Sequence, residues 1–203
     1  MRTQFLRFTS FIILIGFISF YGCGNINENY FPLNEGWSWE YSYINLLTND
    51  INKNKITNLS KRELQGKIII PRKDEKDNGS VSIYFDGEDN DGVFVLAIQS
   101  AKDIEPKIFE QPSYLLKYPI KQGITWKDNN MDNKIESIND DITVPAGTFN
   151  KCIRIKTSNN KGEIVRWHAP GVGMVKQTIK IYESDLKTKL LLNGMTQLLS
   201  FKK

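Results

Sequence analysis

The sequence predicts a mainly β fold: an antiparallel meander that forms a curved sheet, half-barrel or sandwich, with at most one short helix. Three observations support this prediction. Apolar and polar residues alternate with a period of two in many short segments. Clusters of Asn, Asp, Gly and Pro separate those segments at short intervals. No long segment has the 3.6-residue period of an amphipathic helix.

The first predicted strand alternates aromatic with polar residues, and its aromatic members share one face: Trp37, Trp39, Tyr41 and Tyr43. We expect this face to pack into the core, and a ligand platform is the alternative. The later predicted strands are Lys67–Ile70, Val81–Asp86, Val93–Ser100, Ile142–Val144, Cys152–Ser158, Glu163–His168, Met174–Tyr182 and Lys189–Phe201.

Turn-forming clusters lie between these strands, at Asp74–Gly79, Asp86–Gly92, Lys127–Asn133, Asn159–Gly162 and Pro170–Gly173. The segment Asp50–Leu64 has room for one helix, although its Asn and β-branched residues are weak helix formers. Short loops in the last third of the chain predict consecutive antiparallel neighbours.

Length and charge limit the class of protein. The chain has 203 residues and a formal charge of +4, to which Arg2 and Arg7 contribute. Residues 30–203 fit one β-rich domain with a sizeable core. The basic clusters alternate with Asn, Asp and Glu, which is typical of solvated loops. We therefore expect no nucleic-acid partner.

The first 22 residues have the pattern of an export signal. Arg2 and Arg7 form a positive region, and Phe8–Phe20 is an uncharged, mainly apolar run of 13 residues. As a helix this run is roughly 20 Å long, whereas the hydrocarbon core of a bilayer is about 30 Å thick. Residues 1–22 are therefore predicted to be a cleaved signal peptide rather than a permanent membrane span.

The segment Phe20-Tyr21-Gly22-Cys23 resembles the lipobox of bacterial lipoproteins, in which a small residue precedes an obligatory cysteine. Gly22 and Cys23 match that pattern, whereas Phe20 and Tyr21 are bulkier than its usual residues. The resemblance implies that the Cys23 thiol carries lipid, including palmitate, and that residues 23–29 form a tether. Ordinary signal cleavage and an uncleaved anchor are the alternatives.

Lipidation at Cys23 predicts the membrane as partner and the cell envelope as location. Several acyl chains hold a protein on a bilayer almost permanently. In a Gram-negative host, Gly24 resembles the sorting residue of outer-membrane lipoproteins. A thioether at Cys23 excludes a disulfide with Cys152, which we expect to be a buried core residue.

Three later segments resemble a recurrent pattern in a family of uncharacterised secreted and lipoprotein β-domains of bacteria. They are Tyr30–Tyr41 (YFPLNEGWSWEY), Val144–Ile153 (VPAGTFNKCI) and Trp167–Lys176 (WHAPGVGMVK). The resemblance implies a β-rich envelope domain and carries no enzyme assignment. Their Pro and Gly residues favour turns, and Gly171 and Gly173 permit positive φ.

The sequence contains no recognisable catalytic, metal or cofactor pattern. His168 is the only histidine, so a multi-histidine zinc site is excluded, and we expect it to be structural. The acidic segment Asp86–Gly92 fails the spacing of a calcium-binding EF-hand, and so does Asp128–Asp132. Both are predicted to be hairpin tips, and we expect no cofactor.

The leading hypothesis for function is a non-enzymatic envelope lipoprotein that acts as a structural module or as a binding module for an envelope protein or apolar ligand. A half-barrel that binds lipid or acyl chains is the alternative. A tethered carbohydrate hydrolase working through Asp and Glu is a further one. A deep cavity favours lipid binding, facing carboxylates favour the hydrolase, and a filled interior favours a scaffold.

Overall fold

A computed structural model describes residues 29–203, and in that range the chain forms thirteen β-strands and no helix. The mainly β, antiparallel prediction is confirmed. The strands are β1 Ser38–Asn45, β2 Ile51–Asn58, β3 Arg62–Leu64, β4 Lys67–Lys76, β5 Val81–Asp89, β6 Gly92–Ser100, β7 Lys107–Lys117, β8 Thr125–Asp128, β9 Met131–Val144, β10 Gly147–Asn159, β11 Gly162–Ala169, β12 Gly173–Tyr182 and β13 Leu190–Lys202.

The segment Asp50–Leu64, which had room for a helix, instead holds β2 and β3. In β2, Asn52, Asn54 and Ile56 alternate along the strand and line the cavity, whereas Lys55 does not and Lys53 reaches only its open end. A period of two is therefore present. The residues of β2 that point inward are mostly Asn rather than apolar, so a pattern of hydrophobicity alone does not reveal this strand.

All the strands belong to one curved antiparallel sheet that nearly closes into a barrel, and neither a sandwich nor an open half-barrel forms. The strand order is β7-β6-β5-β4-β2-β1-β13-β12-β11-β10-β9-β8, with β3 paired only to β4. Neighbours along the chain are thus neighbours in the sheet almost throughout. There are three exceptions: β2 pairs with β4 rather than with β3, β7 and β8 are not paired, and β1 pairs with β13. In the last of these, Trp39 lies opposite Phe201 and Tyr43 opposite Thr196.

The barrel has a seam between β7 and β8, the two ends of this strand order. No backbone ladder joins these two strands in the described chain. Side chains bridge them instead: Trp126 Nε1 donates to the carbonyl oxygen of Tyr114 at 2.9 Å. The Ser113 hydroxyl donates to the carboxylate of Asp128. The seam is therefore closed by side chains where other strand pairs have backbone hydrogen bonds.

Several predicted turns are tight hairpins in the structure. Asn129 and Asn130, with φ of 46° and 63°, connect β8 to β9, as a two-residue type I′ turn requires. The acidic segment Asp86–Gly92 contains the hairpin between β5 and β6, but the tip is shorter than predicted: Asn90 and Asp91 form the turn, and Asp86–Asp89 belong to β5. Gly171 and Gly173, with φ of 67° and 93°, shape the connection from β11 to β12. The hairpin predictions for these segments are confirmed.

Candidate ligand-binding cavity in the barrel

The barrel encloses a cavity of about 670 Å³. This volume lies within the range of pockets that bind small molecules. Alternate residues of successive strands line it, as the two-residue period of a strand requires. Apolar and polar groups share the lining: Tyr41, Tyr43, Ile56, Ile179 and Leu192 on the apolar side, and Asn52, Asn54, Arg72, Asp74, Asp86, Arg166 and Gln177 on the polar side.

One end of the barrel is closed by the segment Asn29–Asn34, which we call the floor segment. The Tyr30 side chain is 5% exposed and its hydroxyl donates to the carbonyl oxygen of Lys151 at 3.1 Å. The buried amide of Asn58 donates to the carbonyl oxygens of Pro32 and Asn34, at 3.1 and 2.9 Å. The floor segment is thus held by hydrogen bonds from two sides of the barrel.

The three segments that carried the family resemblance meet at this floor. Trp39 Nε1 donates to the carbonyl oxygen of Val172 at 2.7 Å, and the Tyr41 hydroxyl donates to that of Met174 at 2.8 Å. Trp39 and Tyr41 also pack in one buried cluster with Val144 and Cys152. The expectation that the aromatic strand packs into the core is confirmed for these two residues, while Tyr41 and Tyr43 also line the cavity.

Arg72 connects the floor segment to the wall. Its Nη1 donates to Asp86 Oδ2 at 2.8 Å, and the Asp86 side chain is 1% exposed. The guanidinium also lies over the ring of Phe31, 4.6 Å from its centroid, and 5.9 Å from that of Trp39. Burial raises the pKa of the Asp86 carboxyl, and the charge of Arg72 opposes that shift. This ion pair therefore holds a buried carboxylate against a half-buried arginine.

His168 lies at the same level and is 4% exposed. Its Nδ1 is 3.2 Å from the carbonyl oxygen of Tyr30, and its ring stacks on Phe31 with centroids 5.8 Å apart. Burial lowers the pKa of His168 to about 3, with the charge of Arg166 as the next cause. The ring is therefore neutral at physiological pH. His168 packs against the floor segment and has the structural role that the sequence predicts.

Arg166 lies on the wall above the floor and lines the cavity. Its Nε donates to Gln177 Oε1 at 2.9 Å, and its Nη1 donates to Thr157 Oγ1 at 3.3 Å. Within residues 29–203 these two neutral groups are its only hydrogen-bond partners, and it forms no ion pair with a carboxylate. Burial lowers the pKa of its guanidinium. The charge of Arg166 thus faces the cavity without an acidic partner.

The opposite wall carries Asp74, which accepts a hydrogen bond from Asn54 Nδ2 at 2.7 Å. Asp74 is two residues from Arg72 on the same face of β4. Strand β4 is separated from β11 by four strands of the sheet. The cavity therefore has Arg166, a cation without a carboxylate partner in the described chain, on one side. The hydrogen-bonded carboxylate of Asp74 lies on the other side.

The other end of the cavity, which we call the mouth, lies at Lys53, Asp77 and Asn78. Asp77 caps this edge because its carboxylate accepts from the backbone nitrogen of Lys53 at 2.8 Å. Loops at this end carry exposed leucines, including Leu47 at 47% and Leu186 at 83%. The mouth is thus less enclosed than the floor.

The remaining residues singled out from sequence have simpler roles. Cys152 is buried, its thiol donates to the carbonyl oxygen of Phe149 at 3.4 Å, and burial raises its pKa to about 12. It is a core residue, as expected. Within residues 29–203, no group of three His, Cys, Asp or Glu side chains is arranged to hold a metal ion. Cys23 and the signal segment lie outside the described residues.

Sequence reasoning missed the polar residues that line the cavity, above all Arg72, Asp86 and Arg166. Arg166 does lie in the predicted strand Glu163–His168, where Ile164 and His168 share its face. That face contains one apolar and two polar residues, and so does not show whether it points to solvent or to a polar interior. The two-residue alternation was visible in the sequence, but only the folded sheet shows that this face lines the interior of the barrel.

No protein-family model matches the chain, and no curated protein is similar to it in sequence. Among solved structures, an inferred lipoprotein from Parabacteroides distasonis is similar, with a TM-score of 0.44 and 16% identity, covering 85% of this chain and 98% of that chain. An exported protein with a YmcC-like fold from Bacteroides fragilis has a TM-score of 0.44 and 14% identity over the same shares. The family suggested by the three motifs stays a prediction.

No helix among residues 29–203 is long and apolar enough to cross a membrane.

Proposed function

We propose that this chain is a non-enzymatic, lipid-anchored protein of the bacterial cell envelope whose barrel binds a small amphipathic ligand. The observation that carries the proposal is the 670 Å³ cavity, lined by apolar and polar groups within one closed sheet. Mainly apolar pockets with a few oriented polar groups are typical of small-molecule sites. Small barrels are filled by side chains, whereas larger ones leave room for a ligand.

The position of the floor segment supports a defined orientation on the membrane. The backbone nitrogen of Gly171 donates to the carbonyl oxygen of Asn29 at 2.8 Å, so the chain leaves the barrel at the floor. Cys23 precedes Asn29 by six residues, which span about 20 Å when extended. A lipid on Cys23 would keep the floor near the bilayer, with the mouth of the cavity facing away from it.

We favour binding over hydrolysis because the carboxylates in the cavity are already engaged. Asp86 is paired with Arg72, and Asp74 accepts the amide of Asn54. A glycosidase needs one carboxylic acid and one carboxylate, both free to act on a bound sugar. Carboxylates that already have hydrogen-bond or ion-pair partners are better suited to shape a binding site than to act in hydrolysis.

A neutral fluorescent probe tests the binding proposal. N-phenyl-1-naphthylamine should gain fluorescence with the purified domain, and Ile179→Trp, which fills the cavity, should remove most of that gain. Lys180→Trp is the matched control, because Lys180 is the next residue of β12 and is exposed on the other face. Equal fluorescence in both variants, with unchanged melting temperatures, would place the probe outside the cavity.

Substitution of Cys23 tests the anchor separately. In the native host, Cys23→Ala should abolish labelling with palmitate and release the protein from membranes, since the thiol that carries the lipid is gone. Cys152→Ala is the control, and it should leave both labelling and membrane retention unchanged. Full membrane retention of the Cys23→Ala protein would refute lipid anchoring.

A further inference from the structure

Deepening the proposed function, we infer that the ligand of the cavity is an amphiphile with an anionic oxyanion headgroup, which Arg166 binds on the β11 wall. The first argument is the state of Arg166. Its Nε and Nη1 are bound to Gln177 and Thr157, and the structure shows no described group bound to Nη2. The guanidinium is thus held in a fixed position with donor capacity left over.

The second argument is the contrast between the two arginines in the cavity. Arg72 has its carboxylate, Asp86, at 2.8 Å, and it is covered by Phe31. Arg166 has none, although an unpaired charge within a protein interior is costly. Arginine recognises carboxylates and phosphates with paired N–H donors, and such charge-assisted hydrogen bonds are about twice as strong as neutral ones. A ligand oxyanion would therefore supply the missing partner.

The third argument is the arrangement of the other groups in the cavity. Gln177 lies directly opposite Arg166 in the β11–β12 pairing, so its amide NH₂ is positioned beside the guanidinium. Ile179 is on the same face one step toward the mouth, and Leu192 and Tyr43 also line the cavity. These groups offer apolar surface to the body of the ligand. Asp74 on the opposite wall repels an anion there, which confines the headgroup to the Arg166 side.

The two lysines that line the cavity are less suited than Arg166 to bind the headgroup. Lys53 lies at the mouth, and Lys76 is exposed. Both are therefore solvated and give weak, screened attraction. Only Arg166, among the cations of the described chain that line the cavity, is both enclosed and without a carboxylate partner.

The test is a calorimetric titration of the purified domain with four ligands that share a twelve-carbon chain: dodecanoate, dodecyl phosphate, dodecanol and dodecylamine. We expect dodecanoate or dodecyl phosphate to bind at least about tenfold more tightly than dodecanol, and dodecylamine to bind most weakly. Tighter binding of the phosphate points to a phosphorylated lipid, and tighter binding of the carboxylate points to a fatty acid. Dodecanol or dodecylamine binding as tightly as either anion would overturn the inference.

Variants locate the headgroup. Arg166→Met should weaken binding of the preferred anion about tenfold or more while leaving dodecanol unchanged. Arg154→Met is the matched control, because Arg154 lies outside the cavity lining and contacts Glu136 and Asp140 instead. Asp74→Asn should leave anion binding equal or tighter. Equal anion affinity in Arg166→Met and the wild-type protein would overturn the assignment to Arg166.

A second measurement keeps the test independent of folding. Gln177→Leu retains Arg166 and should weaken the anion by a smaller factor than Arg166→Met. Circular dichroism of each variant checks that the sheet is intact. If the anions fail to bind while dodecanol or the neutral naphthylamine probe still does, the inference fails and the proposed function stands. If no amphiphile of any charge binds, both fail.

Discussion

The floor of the barrel and the wall above it hold the same kinds of polar residue in opposite states. At the floor, Arg72 has Asp86, His168 is 3.2 Å from a backbone carbonyl, and Asn58 donates to two carbonyl oxygens. On the wall, Arg166 has only neutral partners and faces the cavity. The polar groups of the floor are held by partners within the chain, although Asn58 Oδ1, Arg72 Nε and Asp86 Oδ1 are buried without a hydrogen-bond partner in the described chain. On the wall, we propose that a ligand supplies the acidic partner of Arg166.

This comparison separates the polar groups that stabilise the barrel from those that are available to a ligand. A satisfied buried network rigidifies a fold, and removing one member leaves its partner unpaired. Replacement of Arg166 would remove two hydrogen bonds to neutral groups but would leave no buried carboxylate without its cation. Substitutions at the floor should therefore change stability, whereas substitutions at Arg166 should change binding.

The largest effect on stability is expected from Asp86→Ala, which leaves the half-buried Arg72 guanidinium without its carboxylate partner. We expect a loss of about 3 kcal/mol in the free energy of unfolding, measured by urea denaturation. Arg166→Met is the comparison, and because no ion pair is lost it should stay within about 1 kcal/mol of the wild-type protein.

The double variant Arg72→Met/Asp86→Leu sharpens that comparison. It removes both charges, so it should recover most of the stability lost in Asp86→Ala. If Asp86→Ala costs less than Arg166→Met, the assignment of structural and functional roles is reversed.

A second prediction uses the depressed pKa of His168. A histidine whose folded pKa is about 3 contributes stability that is complete above its unfolded pKa near 6.5 and is lost as the pH falls toward 3. At pH 4.5 this loss amounts to roughly 3 kcal/mol, because each pH unit below the unfolded pKa costs about 1.4 kcal/mol. Unfolding should be measured at several pH values for the wild-type protein and His168→Gln.

The difference in unfolding free energy between those two proteins isolates His168, since the other titrating groups are shared. We expect the wild-type protein to lose its advantage over His168→Gln as the pH falls from 6.5 to 4.5. A difference that is constant over this range would show that the pKa of His168 is not lowered by folding.

The smallest predicted effect concerns the seam between β7 and β8. Trp126→Phe removes the hydrogen bond to the Tyr114 carbonyl, and we expect a loss of about 1 kcal/mol together with faster amide exchange in β7 and β8. Trp37→Phe is the control, because the Trp37 indole donates no hydrogen bond to any of residues 29–203. Equal costs for both variants would mean that side-chain packing, rather than the bridging hydrogen bond, holds the seam.

The fold was largely predictable because its turns and outer faces follow simple rules. The aromatic strand, the Pro-Gly turn at 170–173 and the meander that follows are all where the pattern predicts them. Strand β2 was missed because the residues on its inner face are mainly Asn, and β7 because its middle reads Glu-Gln-Pro. A cavity lined by polar groups removes the contrast between inside and outside that identifies strands.

The candidate site could be predicted only in part for the same reason. His168 and Cys152 were expected to be structural, and both are buried. Arg72 and Asp86 are 14 residues apart, and nothing in the local pattern shows that they pair. The isolation of Arg166 is a property of the whole barrel, since it depends on which carboxylates the closed sheet places out of reach.

The most direct test of the central claim is a crystal structure of the domain with 12-bromododecanoate, in which anomalous scattering locates the bromine. We expect a bromine inside the barrel and a carboxylate within hydrogen-bonding distance of Arg166 and Gln177. A bromine on the outer surface, or a chain inside the barrel whose carboxylate avoids Arg166, would contradict it.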